Sequence, residues 1–123
     1  MWKQQGNIAL THAIHYFTKK QNIVSLPIND SQDYDLIVDI DSTLCKVQVK
    51  STIQVSRCNI PTVSVKSSGG TYGKIYGNVK TSSANLLYIY HITLDKAWLI
   101  PITDSLPASS INLGEKYEQY LLT

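Results

Sequence analysis

Three polar side chains interrupt two apolar segments of the sequence, and their types fit metal-assisted hydrolysis. Asp35 lies in YDLIVDI, and Gln48 and Lys50 lie in VQVKST. Burying a charge costs several kcal/mol unless the group is paired or binds a metal. Carboxylate and amide oxygens suit Mg²⁺, and an ammonium group can orient an attacking water or neutralise charge on phosphate. The residue types therefore predict phosphodiester chemistry, provided that the fold brings them together.

The spacing predicts that these side chains lie on one hairpin. The segments Tyr34–Ile40 and Leu44–Thr52 both alternate like strands, and Asp41–Ser42 fits a two-residue turn. In that register Asp35 faces Gln48 with Cβ atoms about 5 Å apart, and the lysine shares their face. A one-residue slip would separate the two and move the valines to the wrong side, so the hydrophobic pattern favours the convergent register.

The rest of the chain supplies the elements that must support this hairpin. The apolar pattern predicts helices over Asn7–Lys20 and Glu115–Leu122, and strands over Ile23–Leu26, Thr62–Lys66, Leu86–Leu94 and Ala97–Ile102. Residues 67–78 are rich in Gly, Ser and Tyr and predict turns. This order indicates one domain over residues 1–123, of the α/β (α+β) class, with a mixed central sheet flanked by an N-terminal and a C-terminal helix.

Composition narrows the class of protein without fixing it. The 123 residues carry 11 basic and 9 acidic side chains, a net charge of +2 that permits a nucleic-acid partner but does not demand one. No apolar run reaches transmembrane length, and MWKQQGNIAL lacks a signal-peptide stretch, so we expect a cytoplasmic protein that is not bound to a membrane. Cys45 is expected to be a small core residue and not to form a disulfide with Cys58.

The hairpin resembles the core signature of the PD-(D/E)XK nuclease superfamily, in its Q-x-K variant. More narrowly, the chain resembles the cyanobacterial group I intron-encoded homing endonucleases. The resemblance covers nearly the whole chain and rests on GNIA (6–9), YDLIVD (34–39), VQVKST (47–52), LYIYHITLDKAWLIPI (87–102) and INLG (111–114).

The resemblance carries specific expectations about fold and activity. It implies a restriction-endonuclease-like fold and a Mg²⁺-dependent endonuclease that cuts double-stranded DNA at specific sites. Asp35 and Gln48 would bind the metal, and Lys50 would complete the catalytic set. A homodimer or homotetramer is implied too, because cutting two strands needs two active sites.

One position departs from the family pattern. The first helix of the family usually offers a glutamate just after the GNIA-like segment, and here that position is Leu10. The alternative function is therefore a catalytically impaired or inactive DNA-binding protein on the same fold. A third alternative is a structural or interaction protein in which Asp35 and Lys50 form only a cross-strand ion pair.

Other polar residues have their own interpretations. Asp39 is expected to be an edge or turn residue, and His12 and His15 are expected to be surface histidines because they lack a clear third metal ligand. The Gly/Tyr segment suits either a DNA contact or an ordinary flexible hairpin, and both alternatives stay open. The candidate DNA-binding cations are Arg57, Lys66, Lys74 and Lys80.

Overall fold

The computed structural model describes residues 2–29, 31–68 and 75–122. Within these ranges the chain forms one α-helix, two short 3-10 helices (Val79–Thr81 and Glu115–Tyr120) and ten strands. In chain order the helix and strands are α1 (Trp2–Lys19), β1 (Ile23–Ser25), β2 (Leu36–Ile40), β3 (Thr43–Thr52), β4 (Thr62–Ser64), β5 (Lys66–Ser68), β6 (Ile75–Asn78), β7 (Leu86–His91), β8 (Lys96–Pro101), β9 (Ser110–Asn112) and β10 (Leu121–Leu122).

A six-stranded mixed sheet organises the fold, as predicted. Its strand order is β1-β2-β3-β7-β8-β10, with β3 and β7 parallel and the other neighbours antiparallel. Two smaller antiparallel pairs, β4-β9 and β5-β6, complete the described strands. The strand that carries Gln48 and Lys50 is therefore central, with paired neighbours on both edges.

Helix α1 covers one face of this sheet. It begins at Trp2 rather than at the predicted Asn7, because the glutamines before the GNIA segment are good helix formers. It ends before Gln21, whose φ of 67° gives the left-handed residue that often terminates a helix. The residues most deeply buried against the sheet lie one turn apart, and they are Ala9, Ala13 and Phe17.

The β2–β3 hairpin has the predicted register. Leu36 pairs with Val47, and Asp39 pairs with Leu44. The turn residues Asp41 and Ser42 have φ values of 50° and 69°, the two positive angles of a type I′ turn, whose twist matches that of the flanking strands. The prediction made from the hydrophobic pattern is confirmed.

The C-terminus differs from the predicted helix over Glu115–Leu122. A 3-10 helix spans Glu115–Tyr120, and Leu121–Leu122 then pairs antiparallel with β8 at Trp98 and Ala97. A segment this short gains little as an isolated helix. The open edge of β8 offers main-chain partners and a place to bury both leucines, so the last residues extend the sheet.

The region between β3 and β7 is more divided than the sequence pattern indicated. The predicted strand Thr62–Lys66 is interrupted at Val65, whose N–H donates to the Ser109 carbonyl at 2.9 Å. Its two halves, β4 and β5, therefore pair with different partners. Strand β9 has no counterpart among the strands predicted from the sequence.

Two apolar clusters lie on opposite faces of the sheet. One packs under α1 and includes Leu36, Val38, Val47, Tyr88 and Tyr90. The other packs under β4, β9 and the C-terminal 3-10 helix and includes Leu87, Ile89, Trp98, Ile100, Ile111 and Tyr117. Because side chains alternate along β3, Gln48 and Lys50 point away from α1, toward the second cluster.

Both cysteines are free thiols, with Cys45 half-buried and Cys58 exposed. The expectation that they form no disulfide is confirmed, and Cys45 is more accessible than a core residue would be. Within the described ranges, no helix is long and apolar enough to cross a membrane.

Candidate active site

Asp35 lies where β2 would otherwise begin. Its N–H donates to the Val47 carbonyl at 2.8 Å, and its Oδ2 accepts the Val49 N–H at 2.7 Å. The carboxylate thus replaces a main-chain acceptor on the ladder, which explains why β2 starts at Leu36 rather than at Tyr34. These two bonds hold Asp35 against β3 at the level of Gln48, the residue between Val47 and Val49.

That residue, Gln48, has a buried amide with an unused acceptor. The side chain is 9% exposed, and in the part of the chain that the structure describes its Oε1 has no hydrogen-bond partner. The parallel strand β7 places the fully buried Leu87 beside it. Leaving a buried carbonyl oxygen unpaired costs about 1–3 kcal/mol, so a cation or a hydrogen-bond donor that reached this oxygen would stabilise the protein.

Lys50 follows two residues later on the same face and pairs with the fully buried Ile89. Burial lowers the pKa of the Lys50 ammonium, and the Asp35 charge opposes that shift. Burial also raises the pKa of the Asp35 carboxyl, against the Val49 N–H and the Lys50 charge. By surface area Asp35 is exposed and Lys50 is half-buried, yet the surrounding atoms disfavour the charged form of both groups.

The donor set fits a hard divalent cation. The carboxylate of Asp35 and Oε1 of Gln48 are oxygen ligands, and the second is buried and has no partner within the described ranges. No three His, Cys, Asp or Glu side chains form a metal-binding group in the described ranges. The protein would therefore supply few ligands, which suits Mg²⁺, since this ion usually keeps several waters and also takes phosphate oxygens.

Two other polar residues of the hairpin stand apart from this group. Asp39 lies near the hairpin turn, paired with Ile23 and Leu44, at a strand position four residues from Asp35. Lys46 is half-buried, and its ammonium lies 5.3 Å from the centre of the Tyr34 ring. Lys46 is thus partly enclosed rather than fully solvated.

Leu10 has the environment that its apolar character requires. The side chain is half-buried and packs against the cluster beneath α1. Helix α1 contacts β3 directly, through the sheet face that carries Val47 and Val49 and not through the face of Gln48 and Lys50. In this chain, residue 10 is a leucine, whose hydrocarbon side chain cannot bind a metal ion.

The predicted DNA-binding cations lie on the segments that follow β3. Arg57 is exposed in the connection to β4, Lys66 is exposed in β5, and Lys80 is exposed in the first 3-10 helix. Lys66 pairs with Asn78, two residues before Lys80, so these two lysines belong to neighbouring segments. Lys74, and much of the Gly/Tyr segment, lie outside the described residues.

The sequence did not predict a pair of hydrogen bonds that anchors the segment immediately before Asp35. The Asp33 carboxylate accepts the Ser83 N–H at 2.9 Å and also accepts the Ser83 hydroxyl. These two bonds lower the pKa of Asp33. They tie the segment before β2 to the turn that follows Lys80, and a lone Asp and a lone Ser fifty residues apart give no signal of this in the sequence.

A second missed group surrounds His12. The His12 Nδ1 lies 2.7 Å from the Tyr88 hydroxyl, its ring stacks on Tyr90 with centroids 4.0 Å apart, and the Tyr90 hydroxyl donates to Asp95 at 2.6 Å. Burial lowers the pKa of His12. His12 is half-buried and so less accessible than expected, because alternating tyrosines on β7 reach the helix, while His15 is exposed as expected.

Comparisons with known proteins agree with this geometry. A family model described as PD-(D/E)XK endonuclease matches residues 1–120. The solved structure of a bacterial homing endonuclease, I-Ssp6803I, is 25% identical and superposes with a TM-score of 0.76, covering 95% of this chain and 80% of that chain. No curated protein matches the chain in a sequence search.

Proposed function

Because the chain belongs to the PD-(D/E)XK endonuclease family and is a DNA endonuclease of that family, we propose that it cuts double-stranded DNA at specific sites with Mg²⁺. The observation that carries the proposal is the buried Gln48 Oε1, which has no hydrogen-bond partner among the described residues, next in sequence to the Val49 N–H that binds the Asp35 carboxylate. Structural similarity to a bacterial homing endonuclease supports a homing type of activity. The proposal includes group I intron encoding, which rests on the sequence resemblance alone.

The proposed roles follow from the positions of the side chains. Asp35 and Gln48 would hold the metal ion, which supplies charge stabilisation at the scissile phosphate and lowers the pKa of a bound water. Lys50 would orient the attacking water, help to deprotonate it, or neutralise charge on the phosphate. Burial lowers the pKa of Lys50, and this shift favours its use as a proton acceptor.

Lysine substitutions on β3 test the proposal. Lys50→Ala should abolish Mg²⁺-dependent cutting of a library of duplex DNA, with EDTA as the metal-free control. Lys46→Ala is the matched control, since it removes an ammonium from the same strand and the same face, also half-buried, four residues earlier. Equal cutting by wild type and Lys50→Ala would refute the assigned role.

The second candidate function is a DNA-binding protein with an impaired site, and the environment of Leu10 favours it. Its half-buried side chain belongs to the apolar cluster under α1, where the resembled family usually offers a carboxylate. Under this function, wild type binds DNA in a salt-sensitive manner without cutting, and Leu10→Glu restores Mg²⁺-dependent cleavage. A Leu10→Glu protein that folds and still does not cut would count against it.

The proposed assembly is a homodimer or homotetramer, because cleavage of both strands requires two active sites. Light scattering after size exclusion, with and without a duplex substrate, measures the mass directly. A protein that stays monomeric while it cuts both strands would contradict the proposed assembly.

A further inference from the structure

Between β3 and β4 the chain forms a narrow hydrogen-bonded hairpin, residues 53–61, called here the 53–61 hairpin. Val55 and Pro61 form an antiparallel bridge, and at the base the Thr62 N–H donates to the Gln54 carbonyl at 3.0 Å. The hairpin continues directly from the strand that carries Gln48 and Lys50. It is a two-stranded ribbon attached to the candidate active site.

The tip of the 53–61 hairpin is fixed by its own hydrogen bonds. The Ser56 N–H donates to the Ile60 carbonyl at 2.8 Å. The Ser56 hydroxyl accepts the N–H groups of Cys58 and Ile60, both at 3.2 Å. These contacts need no partner molecule, so the ribbon is shaped in advance of any binding event.

The outer side chains of the ribbon combine apolar groups with one arginine. Ile53 is 51% exposed, Val55 is 49% exposed, and Arg57, the third of these alternating residues, is exposed near the tip. The major groove of DNA admits a two-stranded β-ribbon. Within it, apolar side chains contact thymine methyl groups, and arginine binds guanine through two hydrogen bonds.

The base of the ribbon is held by a buried histidine. His91 is 1% exposed, and its Nδ1 lies 3.2 Å from the Leu94 N–H, which has a proton to donate. Nδ1 is therefore an acceptor, so Nε2 carries the proton and donates to the Gln54 carbonyl at 3.1 Å. His91 thus joins the end of β7 to the first residues of the 53–61 hairpin.

We propose that the 53–61 hairpin reads base edges in the major groove of double-stranded DNA, and that His91 is a positioning residue that sets its offset from the cleaved phosphate. The inference rests on the proposed function, in that DNA is the substrate. Arg57 follows Lys50 by seven residues, so their Cα atoms lie at most about 25 Å apart. At about 3.4 Å per base pair, the bases that it reads lie within about seven base pairs of the cut.

Binding selection in the absence of metal tests the reading role independently of cleavage. Lys50→Ala protein in EDTA is incubated with randomised duplexes, and the bound sequences are compared with those bound by Lys50→Ala carrying Arg57→Ala. We expect the second protein to lose discrimination at one guanine position by roughly 5- to 140-fold. Arg57→Lys keeps the charge without the planar fork and should restore affinity but not discrimination. Lys116→Ala, at another exposed cation, is the control.

Two results would overturn the reading role. One is a uniform loss of affinity with an unchanged sequence preference, because that is the behaviour of a phosphate contact. The other is the absence of any preference in the protein that retains Arg57. A wild-type protein that fails to cut with Mg²⁺ would count against the proposed nuclease and would leave the binding selection fully interpretable.

Cleavage mapping at nucleotide resolution tests the positioning role. His91→Leu removes both hydrogen bonds and should spread the cuts over neighbouring phosphates at a fixed recognition sequence. His91→Gln keeps an amide donor, disturbs packing less, and should give an intermediate spread. Melting curves establish that each variant is folded. Unchanged cut positions in both variants would overturn the role of His91, because a purely structural histidine would alter stability alone.

Discussion

Replacing Gln48 by methionine should make the free protein more stable and remove its cleavage activity. Methionine has nearly the length and shape of glutamine but no polar amide. The Gln48 side chain is 9% exposed, and its Oε1 is unpaired within the described residues. The substitution therefore removes an unsatisfied buried acceptor and keeps the volume that packs against Leu87.

The expected gain follows from the desolvation of one carbonyl oxygen. An unpaired buried acceptor costs about 1–3 kcal/mol, and removing it returns that amount to the free energy of unfolding. For a chain of this size, each kcal/mol corresponds to about 3–6 °C in Tm. We thus expect Gln48→Met to unfold about 3–18 °C above wild type in EDTA.

Urea and thermal unfolding in EDTA measure this difference, and Mg²⁺ supplies a second comparison. Wild type should be stabilised by Mg²⁺ because the ion binds only the folded state, whereas Gln48→Met should gain little, so the gap between the proteins narrows. Gln4→Met, at an exposed position of α1, controls for the side-chain exchange itself. A Gln48→Met protein less stable than wild type in EDTA would refute the reasoning, since Oε1 would then have a partner in the free protein.

Three further outcomes follow from other polar contacts. Folding raises the pKa of Asp35 above 3.8, the ordinary aspartate value. Wild type should therefore lose stability as the pH rises from 3.8 through the higher folded pKa. Urea unfolding at a series of pH values should show this loss in wild type and not in Asp35→Asn. Ser83 lowers the pKa of Asp33, so the stability that this carboxylate contributes is present above pH 3.8 and is lost as the pH falls. In thermal melts, Ser83→Ala should lose less stability than wild type on acidification. Tyr88→Phe removes the hydroxyl partner of His12 and should lower the free energy of unfolding by about 1 kcal/mol in urea titrations, with DNA cleavage unchanged.

The hairpin was predictable because its information is local. Alternation fixes which residues of β2 and β3 share a face, and a two-residue turn leaves one register that keeps the valines inside. The placement of Asp35, Gln48 and Lys50 on one face follows from that register alone. Their partner strand β7 was recognisable as a strand, but nothing in its own pattern specifies a parallel pairing with β3.

The features that were missed depend on contacts between distant segments. The local pattern of Leu121 and Leu122 predicts the end of a helix, but the available edge of β8 makes them a strand. Val65 reads as mid-strand until the Ser109 carbonyl takes its N–H. The half-buried position of His12 depends on tyrosines far along the chain, so its own helical neighbourhood could not reveal it.

The parallel pairing of β3 with β7 also affects how the protein is made. Val47 pairs with Leu86, so the β2–β3 hairpin leaves the ribosome well before its second neighbour has been synthesised. At about 5–20 residues per second, the delay is about 2–8 s. During that interval β3 is an open edge with buried-type valines, the kind of edge that pairs with other chains. Gln48 and Lys50 make one face of this open strand polar, and we expect the side chains proposed for catalysis also to reduce aggregation of the nascent chain.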